Sequence, residues 1–203
     1  MQKQQPLILN DTLLIGSGND RNCYQHPDNP LLCIKVENKY SPLTHEKPPK
    51  QNNNEFRYYQ RFRNCKDFPP AIPACYGWVD TNEGRGLVFD LIRDADGSVS
   101  SPFDKILSAS LIEPETAKKL LQELKQQMLA YTIIPSDLAL RNMVLQKTPE
   151  SSRLVLIDGI GSRDFIKFAE KVRWIGQRKI QRRWDKFISR QAKRHPDVFR
   201  DFD

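Results

Sequence analysis

Residues 136–142 read Ser136-Asp137-Leu138-Ala139-Leu140-Arg141-Asn142 and run on, apolar, through Met143-Val144-Leu145. A second apolar stretch, Leu154-Val155-Leu156-Ile157, ends in Asp158-Gly159. The pattern predicts two short strands, Met143–Gln146 and Leu154–Ile157, around a turn at Pro149-Glu150-Ser151-Ser152. Asp137, Asn142 and Asp158 then stand at the edges of apolar elements. An ionised carboxylate at the mouth of an apolar strand wants a cation. The ordinary alternative for Asp158-Gly159 is a strand-end Asp opening a turn. Asp and Asn five apart recur about once every few hundred residues by composition alone, so the weight lies on the surroundings.

Upstream, Glu113 to Tyr131 carries Ala117, Leu120, Leu121, Leu124 and Met128 on one stripe, the mark of an amphipathic helix, and Ser110 with Glu113 has capping-box spacing. Further back the pattern changes to strands. Thr12–Ile15 reads as a strand entering the turn Gly16-Ser17-Gly18, Asn22–Gln25 as its hairpin partner, and Leu31–Val36 as a third strand after the turn residues 27–30. Residues 37–54 are polar and read as a loop. Glu55–Arg63 has helical spacing, with Phe56, Tyr59 and Phe62 on one side. Strands are expected near Cys75–Val79 and over Gly86–Ile92, then a linker at Arg93–Gly97. Downstream, Phe165 to about Gln191 reads as helix, with Phe168, Val172, Ile175, Trp184 and Phe187 on its buried side. The layout is α+β, with a strand-rich first lobe and a short helical second one.

The ordered set Gly16–Gly18, Lys35, Glu55, Asp137, Asn142 and Asp158 suits phosphoryl transfer, which needs positioning and charge neutralisation more than covalent chemistry. Two glycines let backbone N–H groups approach phosphate oxygens, although such pairs are commonly plain turns. Lys35 ends an apolar strand, where an ammonium wants a partner. A phosphate and the Glu55 carboxylate both qualify, and snorkelling to water is the alternative.

The set resembles the protein-kinase-like superfamily and, more narrowly, the YrbL family, the PhoP regulatory network proteins of bacteria. The residues that carry the likeness are Gly-Ser-Gly-Asn-Asp-Arg-Asn-Cys-Tyr-Gln-His-Pro at 16–27, Cys33-Ile34-Lys35, Glu55-Phe56-Arg57-Tyr58-Tyr59, Ser136-Asp137-Leu138 with Arg141-Asn142, Ile157-Asp158 with Ile160-Gly161, and the Trp- and Arg-rich tail. The resemblance implies one kinase-like domain over 1–203, with an N-lobe at 1–92 and a C-lobe at 98–203. It also implies a place in a magnesium-responsive regulatory network and ATP with Mg²⁺ as cofactors. Asp137 would be the base, Lys35 would hold phosphates, Glu55 would orient Lys35, and Asn142 and Asp158 would bind the metal. Gly16, Ser17, Gly18, Lys35, Phe89 and Leu91 are the candidate nucleotide-binding residues.

The chain departs from protein kinases at several points. Arg21 stands where a third loop glycine would be. Pro135-Ser136 replaces the His-Arg before the aspartate, and Ala139 replaces a lysine that often steadies the γ-phosphate; Arg141 is a possible substitute. Gly159-Ile160 replaces Phe-Gly, and no Ala-Pro-Glu follows. Control by activation-loop phosphorylation and kinase-type peptide docking are therefore not expected.

Composition narrows the classes further. No apolar stretch approaches the roughly 18–20 residues that span a bilayer, and the first residues lack the apolar core of a secretory signal, so cytoplasmic residence is the expectation. Cys23, Cys33, Cys65 and Cys75 show no CxxC spacing, and His26, His45 and His195 lie far apart, which leaves a zinc site or a Cys–His nucleophile pair unsupported. Buried or idle thiols are the expectation. The net charge is +7, and residues 163–203 hold 13 Lys and Arg against 6 Asp and Glu, so the basic character belongs to the tail. An anionic surface or acidic partner is one reading; a solvated helix face with two core tryptophans is the other. No DNA-reading motif is present.

Three functions compete on these residues. They are an active phosphotransferase, a non-catalytic nucleotide-binding regulator, and an interaction protein that kept only the fold. The Asp137 carboxylate argues against the third.

Overall fold

The computed structural model describes residues 5–18, 20–38, 51–160, 173–200 and 202. The expected loop over 39–50, Gly161, and the helix start at 165–172 with Phe168 and Val172 lie outside the described residues. The chain forms two compact units. One comprises Met1–Lys66 and Pro73–Leu91, and the other Asp67–Ile72 and Ile92–Asp203.

The first unit is built on a five-stranded antiparallel sheet in the order β1-β2-β3-β5-β4. Its strands are β1 (Leu14–Ser17), β2 (Arg21–His26), β3 (Asn29–Glu37), β4 (Cys75–Thr81) and β5 (Gly84–Asp90). The period of two splits β3 between the two faces of the sheet. Ile34 and Val36 join Leu9, Tyr24 and Val88 in one core cluster. Cys33 and Lys35 take the other face, in register with Phe89 and Leu87. Helix α1 (Gln51–Tyr59) covers that second face, with Asn52, Glu55, Tyr58 and Tyr59 buried. Gly86 allows the close packing of β3 on β5, since a Cβ there would meet Ile34 Cγ2 at 2.3 Å.

Several sequence expectations need correction here. Asp11–Leu13 forms a 3-10 turn and the strand begins only at Leu14, because the Asn10 side chain accepts from the Thr12 N–H at 3.0 Å and from its hydroxyl at 2.6 Å. That local cap competes with strand pairing. Asn29 and Pro30, read as turn, already belong to β3. Helix α1 already includes residues 51–54, expected as loop, and a 3-10 turn at Gln60–Phe62 ends the helical stretch. Of the expected apolar side, Tyr59 and Phe62 are buried, together with Asn52, Glu55 and Tyr58, whereas Phe56 is half-buried against Trp78 with ring centroids 5.7 Å apart. Strand β5 stops at Asp90, so Leu91 and Ile92 lie past it.

The second unit has a three-stranded antiparallel sheet, β6 (Ser101–Pro102), β7 (Met143–Lys147) and β8 (Ser152–Leu156). It adds helices α2 (Phe103–Ser108), α3 (Pro114–Ala130), α4 (Arg173–Gln191) and α5 (Pro196–Phe199). The full stripe read for α3 is buried. The capping box is not formed: Glu113 is the N-cap without a side-chain bond, and Ser110 has φ 51°. Pro114 at the first helical position has no backbone N–H and so starts the helix with one orphan donor fewer, while Ser110 stands three residues ahead of the N-cap. Arg93–Gly97, expected as a linker, is a loop tied to β7, with Gln146 Nε2 donating to the Arg93 carbonyl at 2.8 Å and Lys147 N to Asp94 Oδ1 at 3.0 Å. On α4, Ile180, Trp184 and Phe187 are buried, and Phe187 meets Phe199 of α5 edge-on at 5.7 Å.

Candidate functional site

In the first unit the chemistry gathers on the sheet face under α1. Lys35, on β3, points at Glu55 one layer away, with Nζ 3.5 Å from Oε1. Both are buried, as are Arg21 and Asn52. Arg21 opens β2 on the same face, and its guanidinium is ion-paired to Glu55 Oε2. The same Arg21 Nη1 donates to Asn52 Oδ1 at 2.9 Å. Asn52 Nδ2 in turn donates to the Lys35 carbonyl at 2.8 Å, and its backbone N–H to Glu37 Oε1 at 2.7 Å. Asn52 and Glu55 are three apart on α1 and so share a face. The four side chains thus form one polar layer in an otherwise apolar interior, where unsatisfied polar groups are costly and paired ones fix a geometry.

Apolar and aromatic groups close around the layer. The Phe89 ring lies 4.4 Å from Lys35 Nζ, measured to its centroid, and Tyr59 meets Phe89 edge-on at 5.3 Å. The Tyr59 hydroxyl has no hydrogen-bond partner among the described residues. Burial first, and then the nearby Glu55 carboxylate, push its pKa well above the usual phenol range. Burial also pushes the Cys75 thiol up to about 11. The Cys33 thiol is raised too, first by its contact with Cys23 and then by burial.

The glycine turn is exposed at the edge of this sheet. Gly16 has no atom within 4 Å of where a Cβ would stand. Ser17 Oγ donates to Asn22 Oδ1 at 2.7 Å, and the Gly18 N–H to the Arg21 carbonyl at 2.9 Å. The turn that carries Gly18 is therefore fastened to the residue that holds Glu55.

In the second unit a separate set converges where β8 ends. The backbone N–H groups of Ser136 and Asp137 donate to the Gly159 carbonyl at 2.6 and 3.2 Å, and the Ile157 N–H to the Asn142 carbonyl at 2.8 Å. Asn142 Nδ2 donates to the Asp137 carbonyl at 3.0 Å and to its Oδ2 at 3.3 Å. Arg141 is ion-paired to the same Oδ2 at 2.6 Å. Asp158 Oδ1 accepts from the Gly159 N–H at 2.6 Å, and Arg190 of α4 donates to the Leu138 carbonyl at 2.9 Å. The turn therefore brings Asp137, Asn142 and Asp158 together.

With Nδ2 turned to Asp137, Asn142 keeps Oδ1 as an acceptor. An amide oxygen and a carboxylate are hard oxygen donors of the kind Mg²⁺ prefers. Among the described residues no three His, Cys, Asp or Glu side chains cluster as a metal site. Mg²⁺ carried on phosphates needs only one or two protein ligands.

Of the residues selected from sequence, Lys35 and Glu55 meet in the first unit; Phe89 lies fully buried beside Lys35, and Leu91 is half-buried past the strand. Sequence reasoning missed Arg21 and Asn52. The sequence reading places Arg21 within the resemblance at 16–27 and in the position of a third loop glycine, without a partner on α1, and Asn52 in a loop. The available signal was the spacing of Asn52 and Glu55 on one helix face. On α4, Trp184 is core, whereas Trp174 is 58% exposed and stacked by Arg178 at 5.2 Å. Among the described residues no helix is long and apolar enough to cross a membrane.

The family of the PhoP regulatory network protein YrbL matches residues 7–192. The chain is 31% identical over 182 residues to the uncharacterized protein YrbL of Escherichia coli (strain K12), covering 88% of this chain and 84% of that one. The same figures hold for the uncharacterized protein YrbL of Shigella flexneri. By the span of the family match and by this identity, the chain belongs to the PhoP regulatory network protein YrbL family.

Proposed function

We propose that this protein is a kinase-like ATP- and Mg²⁺-binding phosphotransferase acting in a PhoP regulatory network, with the lobes of a kinase-like fold at 1–92 and 98–203. The buried Lys35–Glu55 pair carries the reading. A strand lysine set against a helix glutamate, behind a two-glycine turn, suits a cation held ready for phosphate oxygens. Mg-ATP would supply the transferable phosphoryl group and the charge that neutralises it. Lys35 would hold the phosphates and Glu55 would orient Lys35. Asp137 would accept the proton of the acceptor hydroxyl, and Asn142 and Asp158 would take the metal.

One observation favours a second reading, a non-catalytic nucleotide-binding regulator. The Asp137 carboxylate is paired with Arg141 at 2.6 Å. The ion pair occupies one of the two carboxylate oxygens, so a base working here would have only Oδ1 to offer the acceptor hydroxyl. The exposed basic face of α4 adds the proposal of an anionic surface as partner, without specific nucleic-acid binding, in a cytoplasmic setting.

Thermal-shift and calorimetric titration with ATP, with and without Mg²⁺, test the reading. Metal-dependent stabilisation is expected. Its absence at millimolar nucleotide overturns both readings. Stabilisation without any phosphate transfer or ATP turnover selects the regulator.

A further inference from the structure

A side chain of the tail helix reaches the Asp137 segment. Arg190, in the last turn of α4, donates from Nη2 to the Leu138 carbonyl at 2.9 Å, across 52 residues of sequence. The ordinary role of an arginine in a last turn is to complement the negative end of its own helix. Here the guanidinium also reaches the carbonyl one residue past Asp137, at the distance of a charge-assisted bond. The apolar side of α4 docks the helix without that bond: Ile180, Trp184 and Phe187 are buried, and Phe187 meets Phe199 of α5.

We infer that Arg190 is a positioning residue for the proposed phosphotransferase: it holds the Leu138 carbonyl and so fixes the backbone that presents the Asp137 carboxylate to the acceptor hydroxyl. The inference rests on the phosphotransferase reading and deepens it. The segment is held at successive peptide groups. The Asp137 N–H donates to the Gly159 carbonyl at 3.2 Å, the Asp137 carbonyl accepts from Asn142 Nδ2 at 3.0 Å, and the next carbonyl, Leu138, accepts from Arg190. Leu138, Ala139 and Leu140 are buried, whereas the Asp137 side chain is 46% exposed. A half-exposed carboxylate takes its direction from the backbone that carries it, and a small misplacement of a reacting group costs rate steeply. Asn142 has an anchor of its own, since its carbonyl accepts from the Ile157 N–H at 2.8 Å. Loss of Arg190 therefore bears on the base more than on the metal. The basic tail, through its last turn, belongs to the site.

The test compares the full chain as wild type, Arg190→Gln and Arg190→Lys. Three quantities are read: calorimetric Mg-ATP affinity, Mg-ATP turnover at saturating nucleotide with water as the acceptor, and amide hydrogen exchange over residues 137–140. Arg190→Gln is expected to slow turnover by about tenfold and to leave Mg-ATP affinity within about twofold of wild type. Exchange over residues 137–140 is expected to quicken, with that of α3 unchanged. Arg190→Lys, which keeps the charge and a donor but not the planar fork, is expected to fall between the two. A purely structural role would lower Tm and reduce affinity and turnover together, and that parallel loss overturns the inference. Turnover of Arg190→Gln within about twofold of wild type, or unchanged exchange over residues 137–140, overturns it as well while the phosphotransferase reading stands. If Arg190→Gln does not fold, Arg190→Met, which keeps the stem and removes the donor, takes its place under the same criteria. A wild type without Mg-ATP turnover removes the phosphotransferase reading and this inference together.

Discussion

Gly159 lies against the Asp137 carbonyl so closely that a Cβ on it would stand 2.3 Å from that oxygen and 2.9 Å from Asn142 Nδ2. Gly159 also has φ +68°, a backbone region costly for residues with a Cβ. The Asp158-Gly159 pair is therefore what allows the turn after β8 to nest against the Asp137–Asn142 segment. Gly159→Ala is expected to cost about 2 kcal/mol or more, from backbone strain plus the steric clash. Urea unfolding of the purified variant measures this; stability equal to wild type would mean that the segment relaxes without penalty.

The two carboxylates at this site are expected to separate by role. Asp158→Ala should remove the Mg²⁺ dependence of ATP binding, whereas Asp137→Ala should leave binding within about threefold and abolish transfer, since only the base acts on the acceptor hydroxyl. Calorimetry with and without Mg²⁺, together with a phosphate-transfer assay, distinguishes them. Equal loss of nucleotide binding in both folded variants would refute the assignment.

Stability should fall as the pH rises from about 9 to about 11, with Cys75 contributing. Its thiol is pushed up from 9.0 to about 11, chiefly by burial, with Glu55 adding to the rise and the Gly77 backbone and Lys35 opposing it. The folded state keeps the proton that the unfolded chain loses first, so this contribution is complete below pH 9 and is lost through pH 11. Melting curves of wild type and Cys75→Ala across this window check it. Parallel curves would exclude a Cys75 contribution.

Helix α4 carries Trp174, Arg178 and Arg182 at four-residue steps, all exposed. Replacing Arg173, Arg178 and Arg182 with Gln is expected to leave Mg-ATP binding unchanged and to weaken association with anionic vesicles by about 1 kcal/mol per charge, less at higher salt. Arg183 is kept because its Nη1 is buried. Co-sedimentation with phosphatidylserine-containing and neutral vesicles at two salt concentrations decides. Equal, salt-insensitive behaviour on both would make the face a solvated one.

The sequence by itself determined the α3 stripe, the β7–β8 hairpin, the antiparallel strands of the first unit and the charge asymmetry of the chain, because each depends on periodicity or local count. The same reading was least secure where a side-chain hydrogen bond competes with a propensity. Asn10 turned an expected strand start into a 3-10 turn, and the expected capping box is absent because the helix begins at Pro114, with Glu113 rather than Ser110 as its N-cap. Lys35 and Glu55 could be selected from sequence because a strand-end lysine and a following helix glutamate each leave a mark there. Only the tertiary structure decided that Arg21 and Asn52 join them. A hydrogen bond between residues 31 apart, as between Arg21 and Asn52, depends on strand register and helix rotation. Both are set by what the apolar residues on each face bury, and no local pattern around Arg21 encodes that.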